Sequence, residues 1–323
     1  MLTRRTLLAA AVGTIPMALH AQSPGSDWPN KAVKIVIGFP PGQGTDVAAR
    51  LYAAHLQQAF VQPFVVDNKP GAGATLAAGA VAKAAPDGYT LLLTSSGPLA
   101  VAPHLYANLG FDPMVDLEPI ALAGRSPLIL VVPADSSAKS LPELVALSKR
   151  QDLSAGSGGN GVTNHLALEM FKIVSGAKLL HVPYKGAAPA MNDLMGGQIQ
   201  TMFESAGAAL VQVKAGRLRA LAVTSSSRYS ELPDIPTVAE YYPGFEAITW
   251  VMFAAPKGTP EAIKNKLAVQ VNKIMAEAAV KDKLLQSGIE TTPDTTPAKA
   301  KAYALQEFDK WGKIIKRANV KLE

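Results

Sequence analysis

The chain has 323 residues, of which 31 are Lys or Arg and 25 are Asp or Glu, and it contains no cysteine. A hydrophobic fraction of 48 % and a charged fraction of 17 % are typical of a globular protein, and the length predicts two domains. The lack of cysteine excludes disulfides, thiolate catalysis and cysteine metal sites, while scattered basic residues and only 6 % aromatics argue against nucleic-acid binding.

The first 21 residues predict a secretory signal that is cleaved after Ala21. Arg4 and Arg5 precede an apolar stretch from Leu7 to Leu19, which is too short to span a membrane. The paired arginines also resemble a loose twin-arginine signal, so both export routes stay open. Removing residues 1–21 takes away two of the 31 basic residues and leaves 29 against 25 acidic ones, a mature net charge of +4.

After the signal, strands and helices are predicted to alternate. The first group comprises a strand at 33–37, a helix at 45–59, a strand at 63–66, a helix at 71–84 and a strand at 89–94. The second comprises a strand at 128–132, helices at 141–149 and 164–174, a strand at 179–183, a helix at 189–195, a strand at 200–203, a helix at 206–215 and a strand at 218–223. A strand at 248–255 and long amphipathic helices at 260–285 and 297–318 close the chain, and we expect these helices to pack on the first group.

This alternation predicts an α/β protein with two lobes, each a mostly parallel sheet flanked by helices. The predicted lobes are residues 27–124 plus 248–323, and residues 125–247. The first lobe is therefore discontinuous in sequence.

The stretch Phe39–Asp46, FPPGQGTD, predicts a corner between a strand and a helix. Glycines permit the turn, Thr45 and Asp46 are expected to cap the helix, and free backbone N–H groups would face a small anion. Three other loops have a similar arrangement at strand ends or helix starts: 95–97, 158–163 and 185–189. All four would lie at the carboxyl edges of parallel strands, where open sheets bind ligands.

The glycine loop at 156–161 is compatible with two other interpretations. It matches the dinucleotide pattern G-x-G-x-x-G, but the next strand ends without the acidic residue that holds a ribose. It also nearly matches a nucleophile elbow around Ser157, which leaves a serine esterase as an alternative, although nothing in the sequence orients His165 or His181 toward that serine.

Six separated motifs resemble the Bug family, the TctC-type substrate-binding proteins of tripartite tricarboxylate transporters. They are FPPGQGTD at 39–46, NKPGAG at 68–73, AAPDGYT at 84–90, HVPYKG at 181–186, GRLRALA at 216–222 and LPDIPT at 232–237. The resemblance implies a periplasmic two-lobed binding protein of the type II, Venus flytrap kind. It would be monomeric, would perform no catalysis, and would use neither cofactor nor metal.

The resemblance also implies a small carboxylate ligand, which could be a dicarboxylate, an amino acid or an aromatic acid. Two loops, 41–46 and 185–189, would grip the carboxylate, and membrane subunits similar to TctA and TctB would receive the ligand. A periplasmic sensor domain is the alternative partner.

The candidate ligand-binding residues follow from the loops and the resemblance together. Gln43 departs from the family's usual run of three glycines and could bond the ligand, Glu204 could meet an amine or a water, and Asp46 is more safely a helix cap than a contact. The full set is Phe39, Gly42, Gln43, Gly44, Thr45, Asp46, Ser96, Asn160, Thr163, Tyr184, Gly186, Ala187, Ala188 and Glu204.

Overall fold

A computed structural model describes residues 27–322. The predicted signal therefore lies outside the described residues. Within that range, strands β1 to β9 cover Val33–Ile37, Phe64–Asn68, Thr90–Ser95, Leu117–Pro133, Leu153–Ser157, Leu179–Pro183, Thr201–Ser205, Leu218–Val223 and Ile248–Pro256. Helices α1 to α11 cover Gly44–Phe60, Thr75–Ala82, Ala102–Leu105, Pro113–Asp116, Leu141–Ser148, Thr163–Ser175, Ala187–Met195, Ala206–Lys214, Glu261–Ala276, Ala278–Gln286 and Pro297–Ala318. A π-helical turn at Gly97–Val101 precedes α3.

The strands form one mixed sheet in the order β2-β1-β3-β9-β4-β7-β5-β6, with β8 paired to β4. Strands β1, β2 and β3 are mutually parallel, and so are β5, β6 and β7. Strands β4, β8 and β9 pair antiparallel to their neighbours. The predicted parallel sheets with flanking helices are therefore present, with antiparallel strands joining them.

Strand β4 connects the two parts of the sheet. Its segment up to Pro127 pairs with β9, and its segment from Leu128 pairs with β7 and β8. We call the part built on β1–β3 and β9 lobe 1 and the part built on β5–β8 lobe 2. The sequence bounds of the two domains stay a prediction.

The helices bury one face against the sheet. In α1, Ala48, Tyr52 and Leu56 recur at a spacing of four residues and pack with β1 and β3 in a cluster that belongs to lobe 1. This spacing places the three side chains on one helical face, which explains why an alanine-rich segment docks on the sheet.

The closing segment differs from its prediction in two ways. The helix expected at 260–285 is two helices, because Glu277 is extended (φ −69°, ψ 127°) and separates α9 from α10. Helix α11 packs not only on β4 and the π-helical turn but also on α6 of lobe 2, so it contacts both lobes. Its buried Glu307 accepts hydrogen bonds from Trp250 Nε1 at 3.1 Å and Trp311 Nε1 at 3.2 Å, which fixes the helix on β9.

No helix between residues 27 and 322 is sufficiently long and apolar to cross a membrane.

Candidate ligand-binding cleft

A cavity of about 620 Å³ lies between the lobes. This volume is in the range of small-molecule sites. Lobe 1 contributes the ends of β1 and β3, the start of α1, the π-helical turn and α3, while lobe 2 contributes the start of α6 and the start of α8. Of the candidate residues, the wall contains Phe39, Gly42, Gln43, Gly44, Thr45, Ser96, Asn160 and Thr163.

The corner at Phe39–Asp46 is held by the carboxylate of Asp46. Its Oδ2 accepts from the backbone N–H of Gly42 at 2.9 Å and from Arg50 Nε at 3.0 Å, and its Oδ1 accepts from Asn68 Nδ2 at 2.9 Å. Gly42 has φ +87°, which a residue with a side chain rarely adopts. Burial alone would raise the pKa of Asp46, but the hydrogen bonds from Arg50, Gly42 and Asn68 outweigh it and hold that pKa below its usual value.

Asp46 therefore braces the corner and does not itself line the cavity. The expectation that Thr45 and Asp46 cap the helix is wrong, because α1 begins at Gly44 and its N-cap residue, Gln43, makes no side-chain capping bond. The backbone N–H groups of Gly44 and Thr45 thus stand at an uncapped helix N-terminus on the cavity wall, where the helix dipole favours an anion.

The opposite wall is formed by the loop before α6. The N-cap of α6 is Val162, which also lacks a side-chain capping bond, and Gly161 has φ +74°. The Oγ1 atom of Thr163 lies 3.4 Å from the Oγ atom of Ser96, so one pair of hydroxyls joins the two lobes across the cleft. A second uncapped helix start therefore faces the first.

A stacked pair of histidines, of which His165 is buried and His181 partly buried, supports this loop. The rings of His165 and His181 are stacked with centroids 3.8 Å apart, His165 Nδ1 accepts from the N–H of Gly161 at 3.0 Å, and Ser157 Oγ lies 2.6 Å from His181 Nε2. Burial is the main cause that lowers the pKa of each histidine to about 4. Repulsion from Lys172 lowers it further for His165, and repulsion from His165 does so for His181. Both rings are accordingly neutral at neutral pH.

The contact between Ser157 and His181, which resembles the serine–histidine pair of a hydrolytic triad, was not predicted from the sequence. Ser157 is nevertheless fully buried and does not belong to the cavity wall. Its hydroxyl group is also within 3.0 Å of the carbonyl oxygen of Gly159, so the pair holds the loop.

The remaining candidates lie outside the wall. Gly186, Ala187 and Ala188 pack behind the Gly158 loop, where the N–H of Gly186 donates to Gly158 O at 3.1 Å. Tyr184 donates to Asp193 Oδ2 at 2.7 Å, within its own strand–helix unit. Because both loops precede helices, sequence spacing alone could not tell which of them borders the cavity.

Glu204 is buried beside the cavity but does not line it. Its Oε1 accepts from the N–H and the hydroxyl of Ser205, each at 2.7 Å, and its Oε2 has no hydrogen-bond partner among the described residues. Burial raises the pKa of this carboxyl. Ser205, the next residue, is the one that reaches the wall.

Sequence reasoning missed a large part of the wall. The missed residues come from helices, strands and loops that are distant in the chain, and they include Leu105, Tyr106, Ser126, Val162, Ser205, Gly207, Ala208, Thr249, Trp250, Gln286, Ser287, Ile289 and Leu322. Across the described wall there is no Lys, Arg, His, Asp or Glu. An anion in the cavity would therefore be held by neutral donors. Residues 27–322 also contain no cluster of His, Asp and Glu that could hold a metal ion.

Comparison with known proteins gives consistent results. Residues 48–320 match the family model described as the tripartite tricarboxylate transporter family receptor, TctC. The protein BugT of Bordetella pertussis is 36 % identical over 98 % of this chain and 99 % of its own length. A solved structure of R. palustris Rpa4515 with adipate is 34 % identical, covers 91 % of this chain and 99 % of that chain, and has a TM-score of 0.81. The structure of MatC from Rhodopseudomonas palustris with bound malate is 30 % identical, covers 89 % and 100 %, and has a TM-score of 0.76.

Proposed function

This chain belongs to the TctC family of tripartite tricarboxylate transporter receptors, and on that premise we propose that it captures one small organic carboxylate between its two lobes for such a transporter. Membership confirms the predicted two-lobed α/β binding-protein fold. Membership also confirms the prediction that the chain is a solute-binding protein and not an enzyme, because the family consists of receptors.

The observation that carries the proposal is the uncapped N-terminus of α1 on the cavity wall. Gly44 and Thr45 present backbone N–H groups there, and no described wall residue carries a charge. Neutral donors at a helix N-terminus favour an anion without the desolvation cost of a buried cation. The adipate and malate in the two similar structures are organic carboxylates, which agrees with this chemistry.

Lobe 2 would complete the clamp with Asn160 and Thr163 at the start of α6, which line the same cavity. The contact proposed from the sequence at Gly186 and Ala187 stays a prediction, and these residues lie outside the wall. Closure would bring the lobes together around the bound acid by a hinge motion at β4 and the start of β9.

We place this activity in the periplasm, where the family works, after export by the predicted signal at residues 1–21. Membrane subunits similar to TctA and TctB are the proposed receivers of the ligand, in keeping with the tripartite transporters for which the family is named.

The decisive experiment measures carboxylate binding by calorimetry and thermal shift, after the mature protein has been unfolded and refolded to remove any carried ligand. We expect at least one acid in a panel of mono-, di- and tricarboxylates and amino acids to bind. Gln43→Glu puts a negative charge on the cavity wall beside the α1 N-terminus, and it should weaken that binding by at least about tenfold through charge repulsion.

Gln58→Glu is the matched control, because it makes the same change at an exposed position near the other end of α1. It should leave affinity within about twofold. Equal affinity in the Gln43 and Gln58 variants would refute anion binding at the α1 N-terminus, and a wild-type protein that binds no acid would refute the function itself.

A further inference from the structure

Two glycines from different lobes meet at one side of the cavity. Gly207 lies in the first turn of α8 in lobe 2, and Gly288 follows α10, which packs in the hydrophobic cluster of lobe 1. A methyl group built on Gly207 would lie 2.6 Å from Ser287 O, and one built on Gly288 would lie 2.3 Å from Gly207 N. Carbon atoms pack at about 3.5 Å or more. The two backbones therefore touch only because neither glycine has a side chain.

The end of a helix explains Gly288 but not Gly207. Gly288 has φ +78° and its N–H donates to Leu285 O at 2.8 Å, which is a common role of glycine after a helix. Gly207 lies within α8 without a positive φ, where alanine would favour the helix more than glycine does. The contact with lobe 1 accounts for the missing side chain of Gly207.

This contact lies between two cavities. Gly207 and Ser287 both belong to the wall of the ligand-binding cavity. Gly207 also borders a second groove, of about 440 Å³, which lies between α8 and α10. Because the contact is part of the cavity wall, it is on the cleft side of the crossing strands β4 and β9. A side chain inserted there would push the lobes apart.

The segment that carries Gly288 is fixed to the strand that joins the lobes. The N–H of Arg125 in β4 donates to Glu290 O at 2.9 Å, and the N–H of Glu290 donates to Arg125 O at 2.7 Å. Leu284 is buried in the cluster of lobe 1. The segment therefore stays with lobe 1, and a displacement at Gly207 would turn lobe 2 about β4.

We propose that Gly207 and Gly288 form a glycine seal, a contact without side chains that lets the two lobes close over the cavity. A side chain at Gly207 would separate the lobes by about 1 Å at the seal, so fewer molecules would adopt the closed form. The consequence for the ligand rests on the proposed function: the apparent affinity falls by the same factor as the closed fraction.

The first arm of the test measures closure without a ligand, because Gly207 also lines the cavity and could affect a ligand directly. The chain has no cysteine, so Ser96→Cys with Thr163→Cys introduces one thiol pair across the cleft, where the hydroxyls are 3.4 Å apart. A disulfide between them requires the closed arrangement. Adding Gly207→Ala should slow its formation by at least about tenfold.

Gly196→Ala is the matched control. It adds the same methyl group in lobe 2, at an exposed position after α7, where the nearest atom is Asn192 O at 3.4 Å. In the same two-cysteine protein, it should leave the rate of disulfide formation within about twofold.

The second arm uses the single variants. Any acid of the carboxylate panel that binds the wild type should bind Gly207→Ala at least about tenfold more weakly and Gly196→Ala within about twofold. The urea midpoint of Gly207→Ala should stay at or above that of the wild type, because alanine favours α8 and opening of the lobes relieves the clash. A mere packing defect would instead lower that midpoint.

Each outcome decides a different statement. Equal rates of disulfide formation in the Gly207 and Gly196 variants would overturn the glycine seal, and so would a cysteine pair that does not form a disulfide when both glycines are present. Faster formation with Gly207→Ala would refute its position on the cleft side. Slower formation with unchanged affinity would refute the link to binding. Failure of every acid to bind the wild type would refute the proposed function, while the first arm still decides the seal.

Discussion

Two corners border the cavity, and they present similar backbone donors while being braced by opposite chemistry. The first, Phe39–Asp46, depends on an ionised carboxylate that accepts hydrogen bonds from Gly42, Arg50 and Asn68. The second, Ser157–Thr163, depends on two stacked neutral imidazoles. The helix N-termini therefore determine what can bind, whereas the braces determine how each corner responds to pH.

The largest effect is expected on acidification, which acts on the second corner through its two histidines. The pKa of both His165 and His181 is about 4 in the folded protein, well below the usual value of about 6.5. As the pH falls from 7 toward 4, the two histidines are protonated in the unfolded chain before they are protonated in the folded protein, so the free energy of unfolding decreases. The stability that the neutral histidines contribute is complete only above about pH 6.5. We expect a loss of at least about 2 kcal/mol between pH 7.5 and pH 5, measured by urea denaturation.

His181→Gln should reduce this pH dependence, because it removes one of the two histidines that cause it. A wild-type free energy of unfolding that is constant between pH 7.5 and pH 5 would show that the second corner is not held by neutral histidines.

The next largest effect is expected at the brace of the first corner. Asp46→Ala leaves the N–H of Gly42 and the amide of Asn68 without their acceptor, which should lower the free energy of unfolding by about 2 kcal/mol and weaken carboxylate binding as the turn loosens. Asp46→Asn, which retains one oxygen acceptor, should lose less. Urea denaturation and calorimetry give the two values.

Asp67→Ala is the control, since Asp67 makes only longer ion pairs of 3.6 Å with Lys34 and Lys69 at the surface. Its effect should stay within about 0.5 kcal/mol. If Asp46→Ala costs no more than Asp67→Ala, the first corner does not depend on its carboxylate.

The smallest effect is expected where the two corner regions touch. The hydroxyls of Ser96 and Thr163 are 3.4 Å apart, which is long for a hydrogen bond between oxygens. A double-mutant cycle with Ser96→Ala and Thr163→Val should therefore give a coupling energy below about 0.5 kcal/mol in urea denaturation. A coupling above about 1.5 kcal/mol would mean that this pair, and not the separate braces, holds the cleft together.

The first corner could be predicted from the sequence because the residues that form it are close together in the chain. Strand β1 at Val33–Ile37 was predicted with the observed bounds, and the glycines followed by Thr and Asp predicted the turn. The residue that caps the helix could not be predicted in the same way. Asp46 bonds back to Gly42 rather than capping the helix as expected, since that choice depends on Asn68 from β2.

Non-local contacts account for what the sequence could not show. Strand β4 runs from Leu117, but Pro119, Gly124 and Pro127 obscured all of it except the part from Leu128, because such residues usually interrupt strands. Similarly, no Gly or Pro stands at Glu277, yet the chain is extended there and divides α9 from α10.

The candidate site shows the same limit. Leu322 is about 160 residues from Gly161 in the chain, yet they meet at one wall, and no local pattern connects them.

The uncharged wall of the cavity also affects the proton balance of ligand binding. Because no described wall residue is a carboxylate, an imidazole, an amine or a guanidinium, an acid that enters as its anion has no titratable wall partner with which to exchange a proton. On the proposed function, the loaded protein would carry the full negative charge of its ligand, because no wall side chain neutralises it. Any proton or cation that balances this charge would then come from the proposed membrane partner.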